Sequence, residues 1–96
     1  MFLVILTYKV AFAEIEPHLA AHMAFVDRGF ADGTFVLSGR KVPRTGGVIL
    51  ARAASEADLR HILASDPFLQ FDLVEVEIVA FAPTRAAEGL AALLDG

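Results

Sequence analysis

The sequence predicts a single α+β domain of βαββαβ order with a short tail, and three observations carry that expectation. Apolar runs of strand length recur at Phe2 to Tyr8, Thr34 to Ser38, Gly47 to Ala51 and Val74 to Phe81. Amphipathic segments of helical period separate the first run from the second and the third from the fourth. Only a short loop separates the second from the third, so those two pair as an antiparallel hairpin.

The first run, FLVILTY, has no polar alternation before Thr7, the pattern of a strand buried on both faces. One face meets the helices, and the other must meet something else. From about Ala13 to Phe30 the chain reads as one helix, in which Pro17 fits only within the first turn. At roughly 100° per residue, Ile15, Leu19, Met23, Val26 and Phe30 share a face. His22 projects into the same arc, His18 lies nearer its edge, and Asp27 and Arg28 point away. Gly29 weakens the last turn, and Asp32-Gly33 stops the helix.

TFVLS is the second strand, followed by Gly39 and the basic loop Arg40-Lys41-Val42-Pro43-Arg44-Thr45-Gly46. GVILA is the third, again apolar on both faces. Ser55-Glu56-Ala57-Asp58 has the form of a capping box: the serine hydroxyl accepts the N3 amide, and Asp58 can answer back. Leu59, Ile62 and Leu63 make the inward stripe of this second helix, and His61 falls off it. The helix is expected to stop at Asp66-Pro67, because proline pushes its predecessor out of helical geometry. In VEVEIVAF, Val74, Val76 and Ile78 take one face and Glu75 and Glu77 the other. Pro83 ends that strand. Ala86 to Leu94 reads as a short apolar helix whose Leu90, Leu93 and Leu94 need a surface to cover.

This order is the ferredoxin-like arrangement, with both helices on one face of a four-stranded antiparallel sheet. The other face keeps the apolar side chains of strands one and three with no helix to cover them. Two such sheets facing each other would bury them in a dimeric α/β barrel. Composition agrees: 96 residues that are 56% hydrophobic form one domain, 1–96, with more apolar surface than a small monomer covers alone. A homodimer, or a higher assembly, is the expectation.

A net charge of −4 and the lack of a basic stripe with interleaved aromatics give no support to nucleic-acid binding. With no cysteine, neither disulfides nor thiolate chemistry contribute. The opening MFLVILTYKV is too short and lacks the basic leader of a signal peptide. No apolar run approaches the roughly 20 residues that span a bilayer. The expected address is therefore the cytoplasm, and no membrane or cofactor partner is implied.

Scaffold logic leaves two groups over. Asp66 lies at a turn after an amphipathic helix, and His22 falls in the apolar stripe of an earlier helix, where packing does not need an imidazole. The fold is expected to bring them together at the floor of a small pocket. Several short stretches then carry a family likeness. They are Leu6-Thr7-Tyr8, Ala21-His22, Leu37-Ser38-Gly39, Thr45-Gly46-Gly47-Val48 and Asp66-Pro67-Phe68, in this order and spacing. On them the chain resembles, over essentially its whole length, the YciI-like (YCII-related) proteins, small dimeric α/β-barrel domains. The resemblance implies a His–Asp active site at His22 and Asp66, with Ser38 and Gly39 lining the same pocket. Arg40, Pro67 and Phe68 are counted with them as expected substrate-facing residues. Relatives include a dehydrochlorinase of a chlorinated hydroxyhydroquinone, and the fold is similar to muconolactone isomerase. Proline often follows the glycine in the family; Arg40 stands there here, which leaves the pocket rim and substrate class open.

A histidine titrates near neutrality and can both take and give a proton, while a carboxylate on its far nitrogen fixes the tautomer. Nothing completes a nucleophilic triad; Ser38 is a hydroxyl of the kind that usually bonds backbone at a strand end. His18 and His22 have a spacing that can ligate a metal, but no third ligand or HExxH accompanies them, so no metal is assigned. Arg40, Lys41 and Arg44 can draw a carboxylate or phenolate through charge, or form a solvated hairpin loop. Phe68 and Phe71 can wall an aromatic ligand, though in so apolar a chain they read as core. Two functions stay open. One is a cofactor-independent enzyme of proton transfer, by elimination or isomerisation, on a small cyclic or aromatic, anionic substrate. The other is a non-catalytic dimeric module that binds a small ligand or a protein and keeps His22–Asp66 as a structural pair.

Overall fold

The most apolar run of the chain becomes an inner strand of the sheet. In the computed structural model, which describes residues 1–95, β1 (Phe2–Tyr8) pairs antiparallel with β3 (Gly46–Ala51) on one side and β4 (Val74–Ala80) on the other. β2 (Phe35–Arg40) completes the edge beside β3, giving the order β2-β3-β1-β4 of a ferredoxin-like α+β domain.

Register sorts the side chains. Val4 lies opposite Ile49 and Ile78, and Leu6 opposite Gly47 and Val76. Directly opposed residues share a face, so Phe2, Val4 and Leu6 face the helices with Ile49, Ala51 and Val74, all of them buried. The opposite face carries Leu3, Ile5, Val48 and Leu50, which are half-buried, and the exposed Leu37 and Val79.

The helical layer departs from the expected pair of continuous helices. The first crossing is α1 (Phe12–Ile15), a 3-10 turn over Glu16–His18, then α2 (Leu19–Ala31). Pro17 has no N–H to donate and crowds the preceding turn, so the chain tightens before it can resume. The inward face of α2 is also rotated from expectation. Phe25, Val26 and Gly29 are buried, whereas Met23 is 51% and Phe30 42% exposed. Gly29 accounts for this: a Cβ there would lie 2.1 Å from the Phe35 ring, so its bare backbone lets α2 press directly on β2.

The second crossing also divides. In α3 (Glu56–Leu63) the Ser55 hydroxyl accepts the Asp58 amide at 3.1 Å, and Leu59 and Leu63 are buried. That helix ends at Leu63 rather than at Asp66. Asp66 instead caps a further turn, α4 (Pro67–Gln70), because a proline in the first position of a helix needs no donor and has its φ already set. The expected tail helix over Ala86 to Leu94 does not form: Gly89 turns at φ 89°, and only a 3-10 turn, Ala91–Asp95, follows. The Arg52 guanidinium ties this tail to the body by donating to the Ala92 carbonyl at 3.3 Å. No helix among the described residues is long and apolar enough to cross a membrane.

Candidate active site

His22 and Asp66 meet because α2 and α4 pack side by side. His22 Nδ1 stands 2.8 Å from Asp66 Oδ1; the Asp66 side chain is fully buried and that of His22 is 13% exposed. The Phe68 amide donates to the same Oδ1 at 2.9 Å, as an N-cap contact. An ionised carboxylate only accepts, so on this network a neutral imidazole carries its proton at Nδ1 and keeps the lone pair on Nε2. Nε2 has no hydrogen-bond partner among the described residues and is not a buried orphan. Phe68 stacks on the ring at 3.9 Å between centroids and 6° between planes, fixing its orientation.

The ring borders a cavity of about 310 Å³ between α2 and the sheet, the size of a site for a single small ligand. Its floor follows from register. Leu6, Gly47 and Arg40 form one row across β1, β3 and β2 on the helix-facing side. Gly47 has no side chain, so that row is open at its centre. Gly46 is fixed by a different constraint: with φ 156°, a Cβ there would lie 1.8 Å from the Leu6 carbonyl oxygen. The Val42–Pro43 peptide in the loop between β2 and β3 is cis.

Of the expected residues, His22, Ser38, Gly39, Arg40 and Phe68 line the cavity. Gly39 does so with backbone alone. Asp66 sits behind His22, and Pro67 is outside the lining. Phe68 is buried, with one face given to His22. Phe71 is not core: it is 60% exposed, and its ring packs on His18 at 4.4 Å. His18 and His22 thus engage different rings of the α4 segment, and among the described residues no cluster of three metal-ligating side chains forms. The basic loop divides in the same way. Lys41 Nζ turns to the Thr7 hydroxyl, at 2.6 Å, while the Arg44 guanidinium lies 4.6 Å over the Phe12 ring at the cavity edge.

Tyr8, at the end of β1, also lines the cavity. Strand parity was the available signal, since Tyr8 shares its face with Leu6 and Val4. Nearby, Lys9 and Asp72 pair at 2.6 Å, and that hydrogen bond raises the lysine above its ordinary value. On the far side of the helical layer, the Thr34 hydroxyl and then its amide hold the Asp32 carboxyl below the usual carboxylate range.

The model of the YCII-related domain matches residues 1–82. No curated protein matches the chain. Among solved structures, the 5-chloro-2-hydroxyhydroquinone dehydrochlorinase TftG from Burkholderia phenoliruptrix AC1100, in complex with 2,5-dihydroxybenzoquinone, is similar with a TM-score of 0.72. That match covers 83% of this chain and 91% of the other at 18% identity, a likeness of fold. With the family model spanning both flanks of the His22–Asp66 contact, the chain belongs to the YCII-related domain family.

Proposed function

We propose that the protein is a small acid–base enzyme that moves a proton on a cyclic or aromatic substrate, with His22 as base and Asp66 as its orienting partner. The observation that carries this reading is the 2.8 Å contact at Nδ1, which leaves Nε2 unbonded on a ring that borders a cavity of single-ring size. In the reaction, Nε2 takes a proton from the substrate, and the buried carboxylate stabilises the imidazolium. In an elimination, the electron pair released expels a leaving group such as chloride, and the imidazolium later gives its proton to water. In an isomerisation, the same proton returns to a different atom of the ring. In either course the proton itself is handled by these two side chains. The dehydrochlorinase of the same fold supports elimination as the first chemistry to try.

We further read the protein as a cytoplasmic homodimer joined through its bare sheet face. The test of the catalytic reading is chloride release from 5-chloro-2-hydroxyhydroquinone, alongside a panel of unsaturated lactones. His22→Ala is expected to abolish turnover and leave the oligomeric state unchanged; turnover that survives the substitution removes His22 as the base.

One observation favours a second reading, a binding module with a structural pair. Asp66 Oδ1 also caps α4, so the carboxylate holds the fold together whatever the chemistry. On that reading His22→Ala lowers stability, no substrate is turned over, and the cavity only binds.

A further inference from the structure

Taking a proton from a ring substrate leaves an electron pair behind, and in a quinol, an enol or a lactone that pair comes to rest on oxygen. His22 supplies nothing for that oxygen. We propose that Tyr8 and Arg40 bind it. The sheet wall facing α2 is then an oxyanion site, and its ligand is a ring bearing an ionised hydroxyl or enol oxygen. This rests on the proton-transfer reading of the cavity and adds its electrophilic half.

Placement comes first. Leu6 and Arg40 lie in one helix-facing row with Gly47 between them, and Tyr8 stands one pleat further along β1 on the same face. Both Tyr8 and Arg40 line the cavity that His22 borders. The Tyr8 ring is braced by Phe12 at 6.2 Å and meets Phe68 edge-on at 6.1 Å, so its hydroxyl is held in place before a ligand arrives. Donors fixed in advance stabilise developing charge without reorganising. That hydroxyl has no hydrogen-bond partner among the described residues and is not a buried orphan.

Charge points the same way. Arg40 and Arg44 line the cavity, and among the described residues no aspartate or glutamate does. Neither arginine forms an ion pair among the described residues. Arg44 rests over Phe12, the ring that braces Tyr8. Both guanidiniums are exposed and solvated, and an oxyanion entering the cavity meets cations and a hydroxyl with no carboxylate to compete. The balance closes: the proton goes to His22 Nε2 and the electron pair first to the substrate oxygen, from which it returns to expel chloride in an elimination or to take the proton back at another ring atom in an isomerisation, while Tyr8 and Arg40 keep their protons.

The probe is 4-nitrophenol, whose ionised form is seen by its visible absorbance, against 4-nitroanisole, which cannot ionise. Both are titrated into wild type, Tyr8→Phe and Arg40→Ala, and into each of these carrying His22→Asn, so that no phenol proton can pass to His22. The phenolate is expected to bind wild type more tightly than the anisole. Tyr8→Phe and Arg40→Ala should each weaken the phenolate by roughly tenfold or more, the scale of a hydrogen bond to a charged group, and leave the anisole unchanged. Tyr8→Phe keeps both ring contacts, and a thermal melt checks the fold of each variant. Phenolate binding no tighter than the anisole, or unaltered by both substitutions, overturns the proposal. Phenolate selectivity that persists in a protein without turnover would leave this site standing while the enzyme reading falls.

Discussion

Asp66 places two donors, an imidazole and a backbone amide, on one of its oxygens, and the other oxygen has no partner among the described residues. The cap and the proposed catalytic partnership are therefore separable by substitution. Asp66→Asn retains an oxygen for the Phe68 amide, so stability should change by less than about 1 kcal/mol. The same change weakens the hold on the imidazole and should lower turnover by about a hundredfold or more, read by steady-state kinetics on folded protein. Asp66→Ala removes the cap and strands a half-buried imidazole, at an expected cost of about 3 kcal/mol in urea unfolding. A second residue gives a pH dependence. Asp32 has its folded value depressed, so its contribution is full above the unfolded carboxyl value and is lost as pH falls through the folded one. Asp32→Ala should thus be less stable than wild type at neutral pH, with the difference vanishing in strong acid. His22 and Asp66 were legible at this scale because each stood where packing gave it no reason to be. Tyr8 was not, since an aromatic at a strand end looks the same whether its face meets core or cavity.

At the scale of elements, strand periodicity survived into the structure and helix continuity did not. Apolar alternation in VEVEIVAF and the unbroken run of β1 are set by which side chains meet the core, and they mark strands directly. The helical segments contain Pro17 and Asp66-Pro67, which can end a helix, start one or tighten a turn, and tertiary packing chooses among these. Gly29 is the clearest case. As a sequence signal it weakens a helix end, and replacing it with alanine should gain about 1 kcal/mol of helix propensity. In the fold its missing Cβ is the space occupied by the buried Phe35 ring. Overpacking of this kind costs about 1–3 kcal/mol, and a 2.1 Å approach to a ring with no room to move belongs at the upper end. Gly29→Ala is therefore expected to destabilise by about 2 kcal/mol net, measured by chemical denaturation. A gain in stability would show that α2 stands further from β2.

For the whole molecule, the ferredoxin-like arrangement was legible because few ways exist to close a βαββαβ chain around one core. The pattern of strands one and three also pointed to an apolar sheet face that the helices leave bare, and the fold has that face, with Leu3, Ile5, Val48 and Leu50 on it; a second copy is the cover we propose. Leu50 lies there between Leu3 and the exposed Leu37. Leu50→Asp puts a charge where the second sheet would sit, and sedimentation should then change from a dimer to a folded monomer. A wild-type monomer at working concentration would contradict the assembly proposed here. The proposed chemistry depends on which nitrogen of His22 carries the proton. That is read by ¹⁵N-resolved NMR of the imidazole, above the pH at which the ring is charged. A proton on Nδ1 and a bare Nε2 whose signal moves when 4-nitrophenol is added is the expected result. A proton on Nε2 would leave the cavity without a base and contradict the central claim.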